Sequence, residues 1–281
     1  MTPVLTLTCP APAKLNLMLR VTGRRADGYH LLQTVFRFID YADTLHFSLR
    51  EDGTITRATA VAGVTEADDL TLRAAQLLKR ISGTSHGVVI TLDKQLPLGG
   101  GLGGGSSDAA TTLLALNRLW QLKLPRARLQ ALALELGADV PVFVFGENAV
   151  GAGVGELLQP LMLPPAWYVV LLPPVAVSTA RVFQAADLKR DSNPIKIPPF
   201  SFTSGDNDFE PVVRRLYPEI GRHLDWLRRF APAALTGSGA GVFAEFADER
   251  AARAVLQQLP APMRGMAVRG LDRHPLWEMG E

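Results

Sequence analysis

An α+β fold follows from three features of the sequence. Apolar side chains alternate with a period of two early in the chain, helix-spaced apolar runs begin near residue 70, and no regular strand–helix–strand rhythm joins them. Leu15, Leu17, Leu19 and Val21 alternate with Asn16, Met18 and Arg20, which predicts a strand. Leu45, Phe47 and Leu49 repeat that pattern against His46, Ser48 and Arg50. Leu70, Ala74, Leu77, Leu78 and Ile81 then follow the spacing of one buried helix face. The β-branched stretch VVITLD (88–93) predicts a further strand. Ala109, Ala110, Leu113, Leu116 and Trp120 predict a helix that starts near Ser107 or Asp108, and Leu129, Leu132, Ala133 and Leu136 predict another. The aromatic and branched run WYVVLL (167–172) reads as a strand, and Ala252, Val255, Leu256 and Leu259 as a last helix.

A chain of 281 residues can bury a substantial core and is long enough for two domains. The glycine-rich GAGVGELLQP (151–160) precedes a fresh strand, so the expected division is 1–155 and 156–281. From 184 to 211 the chain turns polar and Pro-rich, which reads as a long loop of the kind kept for function or mobility. Net charge is +2, from 29 basic and 27 acidic residues without a basic block, which argues against a nucleic-acid partner. The single cysteine, Cys9, excludes an intrachain disulfide, fits a reducing compartment and has no neighbouring base to activate it. The N-terminal MTPVLTLTCPAPAK lacks the charged-then-apolar pattern of a signal peptide. The apolar run 167–177 is too short to span a bilayer and is cut by Pro173 and Pro174. A cytoplasmic protein without membrane partners is the expectation. No heptad seam speaks for or against an oligomer.

Glycine is concentrated in PLGGGLGGGSSDAATTLLALNRLW (97–120), directly ahead of a helix. Gly loses more conformational freedom on folding than any other residue, so such a cluster needs a return. Pro97, Leu98, Gly99, Gly100, Gly101, Leu102, Gly103, Gly104, Gly105, Ser106 and Ser107 could turn successive N–H groups toward an anion. The helix that follows would add its positive dipole end, so the segment reads as a triphosphate cradle. No G-K-[ST] closes it, so it is not a Walker A loop, and no acidic residue follows as a dinucleotide site requires. A flexible turn capped by Ser or Asp is the plainer alternative, although it needs fewer permissive residues. LTGSGAGVFAEF (235–246) holds Thr236, Gly237, Ser238, Gly239 and Gly241 before a strand-like run and suits a tight turn equally. In PAPAKLNLML (10–19), Lys14 and Asn16 project from one strand face and Leu15 and Leu17 from the other. On its own Lys14 reads as a solvated edge charge.

These three stretches, in this order and at these separations, resemble the three motifs of the GHMP small-molecule kinases. AKLNL, GRRADGYHLLQTVF and LGADVPVF narrow the resemblance to the branch acting on a cytidine diphosphate-linked methylerythritol, and it runs from Ala11 to about Pro275. The resemblance implies ATP- and Mg2+-dependent phosphorylation of the 2-hydroxyl of that small molecule, a step of the non-mevalonate isoprenoid route. It implies an N-terminal domain resembling ribosomal protein S5 domain 2, a C-terminal ferredoxin-like α/β-plait domain, and substrates in the cleft between. Asp139 is then the general base, the local alternative being a cap between Gly137 and Pro141. Lys14 beside it would steady charge on the hydroxyl or γ-phosphate. Tyr29 and Phe183 would sandwich cytosine and His30 would bond its edge. Phe36, Asn16 and Thr179 would line the erythritol and phosphate region, with core packing the plainer role for Phe36. Gly237, Ser238 and Gly239 would lie near phosphate. Ser107 is one candidate metal contact, the metal ligands otherwise staying open. Two rivals remain at this level. Another GHMP kinase, for mevalonate, homoserine or a sugar, is opposed by DGYH, because a small uncharged sugar needs no paired aromatic slot. A nucleotide-binding regulator without turnover is opposed by Lys14 and Asp139 together.

Overall fold

Two long antiparallel strands, β1 (Thr6–Arg24) and β2 (His30–Arg50), form the spine of the computed structural model, which describes residues 5–197 and 206–280. They pair from Thr6 against Ser48 to Arg24 against His30, so the expected strands at 15–21 and 45–49 are parts of longer ones. The alternation of β1 would leave one face in water, yet almost every residue from Cys9 to Leu19 is buried. Both faces are covered: Cys9 and Ala11 pack with the helices, whereas Leu15 and Leu17 pack with Tyr168, Val170 and Phe243.

A short strand β3 (Ile55–Arg57) leads to α1 (Leu70–Ser82) and back to β4 (Gly87–Asp93), which lies parallel to β3 and antiparallel to β2. α1 occupies the span its periodicity predicts because both ends are signalled. Asp69 accepts the N–H of Thr71 at 2.8 Å, and Gly83 closes the helix in the left-handed region. The next helix, α2 (Gly104–Leu119), starts earlier than expected. Gly103 is its N-cap at φ +73°, and Ser107 N donates to Gly103 O at 2.8 Å. The left-handed glycine passes the chain into the helix at once, so Gly104, Gly105 and Ser106 form the first turn and neither serine nor Asp108 caps it. From Ser107 to Asn117 the helix is buried all round, in a core that includes Phe38, Leu78, Leu129 and Phe143.

After α3 (Arg126–Leu136) comes α4 (Val140–Phe145), with Pro141 in its first turn. A hairpin of β5 (Ala149–Ala152) and β6 (Leu157–Pro160) returns to β2, and residue 155, the expected end of the first unit, lies in its turn. β7 (Trp167–Leu171) agrees with its predicted span. Three helices follow: α5 (Thr179–Gln184), α6 (Glu210–Leu216) and α7 (Pro218–Leu227). Strands β8 (Ala233–Leu235) and β9 (Val242–Phe246), helix α8 (Glu249–Leu256) and strand β10 (Gly265–Leu271) come next, and a short 3-10 helix (Trp277–Gly280) follows them. β10 pairs with β7 through most of its length and with β2 at Gly270 and Leu271. It therefore joins the two halves into one mixed sheet, in the order β3-β4-β2-β10-β7-β9-β8, with β1, β5 and β6 beside β2. The architecture is the α+β class expected.

Residues 185–197 are irregular, as the composition of 184–211 suggests, and 198–205 of that loop lie outside the described residues. The segment that follows runs beside β1: Asp208 N donates to Leu19 O at 2.9 Å and Val21 N to Asp208 Oδ2 at 2.7 Å. Among the described residues no helix is long and apolar enough to cross a membrane. Cys9 is buried, and burial pushes its thiol up to about 11, which keeps it unreactive.

His274 gives the fold a pH dependence. Leu276 N donates to its Nδ1 at 3.0 Å, so the lone pair sits there and the proton on Nε2, which is buried without a partner. Burial, with Arg126 nearby, lowers its pKa to about 3. The unfolded chain takes up a proton near pH 6.5 and the folded one does not, so stability falls as pH drops from about 6.5 toward 3 and levels off below. Between those limits His274 contributes a slope of about 1.4 kcal/mol per pH unit. Urea unfolding of the protein and of His274→Asn across that window is expected to show this slope as the difference between the two; parallel curves would refute it.

Candidate active site

The pairing of β1 with β2 slips by one residue between Asn16 and Met18, an irregularity of the kind that re-aims side chains beside functional sites. Just before the slip, Lys14 is only 1% exposed, so it is not the solvated edge charge its strand setting suggested. Its ammonium donates to Asn16 Oδ1 at 2.5 Å and to Gly101 O at 3.1 Å and forms an ion pair with Asp139 Oδ2 at 3.3 Å. The Phe36 ring lies 5.9 Å from the ammonium and is itself fully buried, so Phe36 serves core and site together.

The orientation of Asn16 follows from its neighbours. Thr34 Oγ1 donates to Met18 O at 2.6 Å and accepts Asn16 Nδ2 at 2.8 Å, which leaves Asn16 Oδ1 for Lys14. Asn16 lines the cleft, but its amide is committed to holding the ammonium. Asp139 follows Gly137, which closes α3, and occupies the N-cap position of α4. It makes no capping bond, and its side chain, 42% exposed, reaches Lys14 instead.

The two glycine segments are joined by main-chain bonds: Ala240 N to Gly99 O at 3.1 Å and Gly241 N to Gly100 O at 3.0 Å. Thr236 Oγ1 donates to Gly101 O at 3.3 Å. The approach is so close that a Cβ on Gly101 would lie 2.3 Å from Thr236 O. At Gly103 a Cβ would meet the Phe143 ring at 2.8 Å and Lys14 Cε at 3.1 Å.

A cleft of about 860 Å3 opens over this group. Lys14, Asp139, Gly99, Gly101, Gly103 and Ser106 line it together with Gly237, Ser238 and Gly239. A smaller hollow of about 190 Å3 lies on the other side of the loop, lined by Leu98, Gly105, Val61, Val64, Lys94 and Asp108. Pro97, Gly100, Leu102, Gly104 and Ser107 line neither. Leu102 packs with Leu15 and Leu17, and Ser107 is buried with its Oγ unpartnered.

A buried ion group anchors the chain entering the loop. Asp43 Oδ1 accepts the N–H groups of Gln95 and Leu96 at 2.5 and 2.7 Å, and Lys94 Nζ binds Asp43 and Asp108 at 2.5 and 2.8 Å. Burial pushes Asp108 upward against the pull of Lys94, while for Lys94 the two carboxylates outweigh burial and raise it.

At the other end of the cleft, Thr179 Oγ1 lies 2.7 Å from Ser238 Oγ, which ties α5 to the second glycine segment. Tyr29, on the turn between β1 and β2, is 63% exposed. The ring stacked on Phe183 is that of His30, at 4.7 Å and 24°, and Tyr29, His30 and Phe183 line the same cleft. Arg190, which the sequence reading missed, donates from Nε to His30 Nε2 at 3.1 Å. Thr34 was missed as well, and Thr236 was named in the second glycine segment without a role; their partners disclose both. Burial, then Arg190 and Arg24, lower the His30 pKa. Among the described residues no cluster of three or more His, Cys, Asp or Glu could hold a metal ion. The arrangement offers a carboxylate and an ammonium in contact, beside a loop that can present N–H groups to an anion.

Residues 69–147 match the model of the GHMP kinases N terminal domain and residues 198–265 that of GHMP kinases C terminal. A 4-diphosphocytidyl-2-C-methyl-D-erythritol kinase of Thiobacillus denitrificans is 65% identical over 269 residues, covering 96% of this chain and 97% of that protein. The crystal structure of a 4-(cytidine 5'-diphospho)-2C-methyl-D-erythritol kinase superposes with a TM-score of 0.80 at 35% identity, over 94% of this chain and 99% of that one. A homoserine kinase of Cytophaga hutchinsonii has a TM-score of 0.67 at 16% identity, over 96% and 95%, a likeness of fold alone.

Proposed function

The chain belongs to the GHMP kinases, among the 4-diphosphocytidyl-2-C-methyl-D-erythritol kinases, and from that premise we propose that it transfers the γ-phosphoryl group of ATP to the 2-hydroxyl of 4-diphosphocytidyl-2-C-methyl-D-erythritol. The observation that carries the chemistry is the 3.3 Å contact of Lys14 with Asp139, in one cleft with the glycine loop and the His30–Phe183 stack. Phosphoryl transfer asks the protein for alignment and charge rather than covalent chemistry. Asp139 takes the proton of the 2-hydroxyl as its oxygen bonds to the γ-phosphorus. The bond from that phosphorus to the β,γ-bridging oxygen breaks, and ADP leaves with the electron pair. Lys14, held by Asn16 and Gly101, donates to the charge gathering on the phosphoryl oxygens.

Gly99, Gly101 and Gly103 face the larger cleft, whereas Leu98 and Gly105 face the hollow behind. A nucleotide laid across the loop would keep its base against Leu98, Val61 and Val64 and its phosphates at the start of α2. Mg2+ would take its ligands chiefly from phosphate and water; Ser107 Oγ, Asp108 Oδ1 and Thr111 Oγ1 are the buried unpartnered oxygens of α2, and of these residues only Asp108 lines a cavity. When bound, that ion supplies neutralisation of phosphate charge. The site draws Lys14 and Asp139 from residues 1–155 and Thr179, Phe183 and Gly237–Gly239 from residues 156–281, the proposed two units.

A coupled ADP-release assay over a panel of alcohols tests the reading. Turnover is expected with the cytidylated methylerythritol alone. Turnover with mevalonate, homoserine or a sugar in its place would mean a different acceptor, and ATP binding without any turnover a regulator.

A further inference from the structure

Arg190 is the hub of the cleft's aromatic end. Its NH2 donates to Phe183 O and Ala185 O at 2.9 and 2.8 Å, its NH1 to Leu188 O at 2.9 Å, and its Nε to the His30 ring at 3.1 Å. One guanidinium thus gathers the C-terminal end of α5 and fixes the imidazole that stacks on Phe183. A guanidinium carries only donors. The ring nitrogen facing it must hold a lone pair, so the proton of the neutral ring sits on the opposite nitrogen, Nδ1. No hydrogen bond to Nδ1 is formed among the described residues, and the ring lines the cleft.

We infer that Arg190 is a positioning residue that holds His30 in its Nδ1–H tautomer, so that the ring meets the substrate's base as a neutral N–H donor and selects an acceptor atom on its edge. For a cytosine those acceptors are N3 and O2. The role deepens the proposed function and rests on it for the identity of the base. Free histidine prefers the Nε2–H form, which would turn a lone pair from Nδ1 toward those same acceptors. The charged groups around the ring work in the same direction. Arg190 after α5 and Arg24 at the end of β1 both disfavour a second proton. In the intervening turn Asp27 is paired with Arg25, and Phe183 from α5 is neutral.

The first measurement needs no substrate. The 15N spectrum of imidazole-labelled protein, with His30 assigned from the signal lost in His30→Gln, is expected to show a protonated Nδ1 and an unprotonated Nε2 from pH 8 to pH 6. A spectrum dominated by the Nε2–H form, or by a mixture, would overturn the inference. The second measurement is the acceptor KM against pH. In the wild type it stays within about twofold from pH 8 to 6. In Arg190→Met it is expected to be about tenfold higher at pH 8 and to recover only as pH falls below about 6.5, where protonation restores the Nδ1–H, because burial and Arg24 still hold the ring's pKa under its ordinary value. The KM for ATP should not move. A purely structural loss in Arg190→Met would raise the acceptor KM equally at every pH, and that outcome would also overturn the inference. A locked tautomer in a protein that refuses the cytidylated acceptor would instead refute the substrate reading and leave the lock standing.

Discussion

Asp139→Asn lowers kcat by a hundredfold to ten-thousandfold, the order supplied by a positioned general base, while both KM values stay within a few-fold. The substitution separates proton acceptance from shape. Asn keeps an oxygen that accepts from Lys14 but cannot take the hydroxyl proton. Because Asp139 makes no capping bond to α4, that helix should keep its start, but the buried Lys14 loses the carboxylate it pairs with, so the unfolding midpoint is expected to fall somewhat. Lys14→Met lowers kcat by a hundredfold to a thousandfold through a different loss, that of the donor to the transferring phosphoryl group. Met fills much of the same buried volume, Asn16 Oδ1 and Gly101 O lose a donor, and the half-exposed Asp139 turns to water. The two residues act as a unit, so the double variant should be little slower than the slower single one. Initial rates at saturating ATP and acceptor, with circular dichroism as the folding control, measure all three. Near-wild-type turnover in both single variants would remove the proposed chemistry.

Where secondary structure obeyed one local rule, the sequence disclosed it. α1 carries a five-residue apolar face and a cap at each end, and β7 is a compact branched and aromatic run; both lie where the pattern predicts. β1 was recognised as a strand but with the wrong surroundings, because period two marks a side-chain direction and cannot say that Lys14 and Asn16, on the polar-looking face, are buried against Gly101, Thr34 and Asp139. β10 was not recognised. Its GMAVRGL is broken by glycine and arginine, and it is a strand because β7 and β2 supply its partners. α7 left a signal that went unread: Ile220, Leu224 and Leu227 have helical spacing and are all fully buried.

The site was legible in proportion to how much of it lies in contiguous residues. The glycine loop announced itself by composition, because backbone that must approach other backbone excludes side chains over a whole run. The meeting of Lys14 with Asp139 joins an early strand to the start of α4, and no local pattern encodes it; family resemblance pointed to the pair and geometry gave its distance. Asn16, expected beside substrate, lines the cleft and also accepts from Lys14, an orientation that depends on Thr34 across the strand pair and that no local pattern encodes. Arg190 stood in a polar segment read as loop, where one arginine is indistinguishable from its solvated neighbours until its four acceptors are seen.

Gly101→Ala raises the KM for ATP at least tenfold and lowers kcat, with the acceptor KM changed little. Two costs coincide at this position. Gly101 has φ +71°, where a Cβ costs about 1–2 kcal/mol, and that Cβ would overlap the main-chain oxygen of Thr236, which cannot rotate away as a side chain would. Relief requires the loop to separate from 236–241, which breaks the bonds from Ala240 and Gly241 to Gly99 and Gly100 and withdraws Gly101 O from Lys14. The N–H groups proposed to hold phosphate then lose their fixed direction, and preorganised donors are what make such a loop effective. Gly99→Ala is the matched control. Its φ is +68°, nearly the same strain, but a Cβ there meets nothing within 4 Å, so the segments stay joined and the ATP KM should rise no more than about fivefold, the equivalent of about 1 kcal/mol. Equal effects from the two substitutions would mean that backbone strain alone sets the loop's behaviour and that its docking on the second glycine segment contributes nothing to ATP binding. A tenfold or greater rise at Gly101 alone would assign the glycine there to the close approach of two main chains.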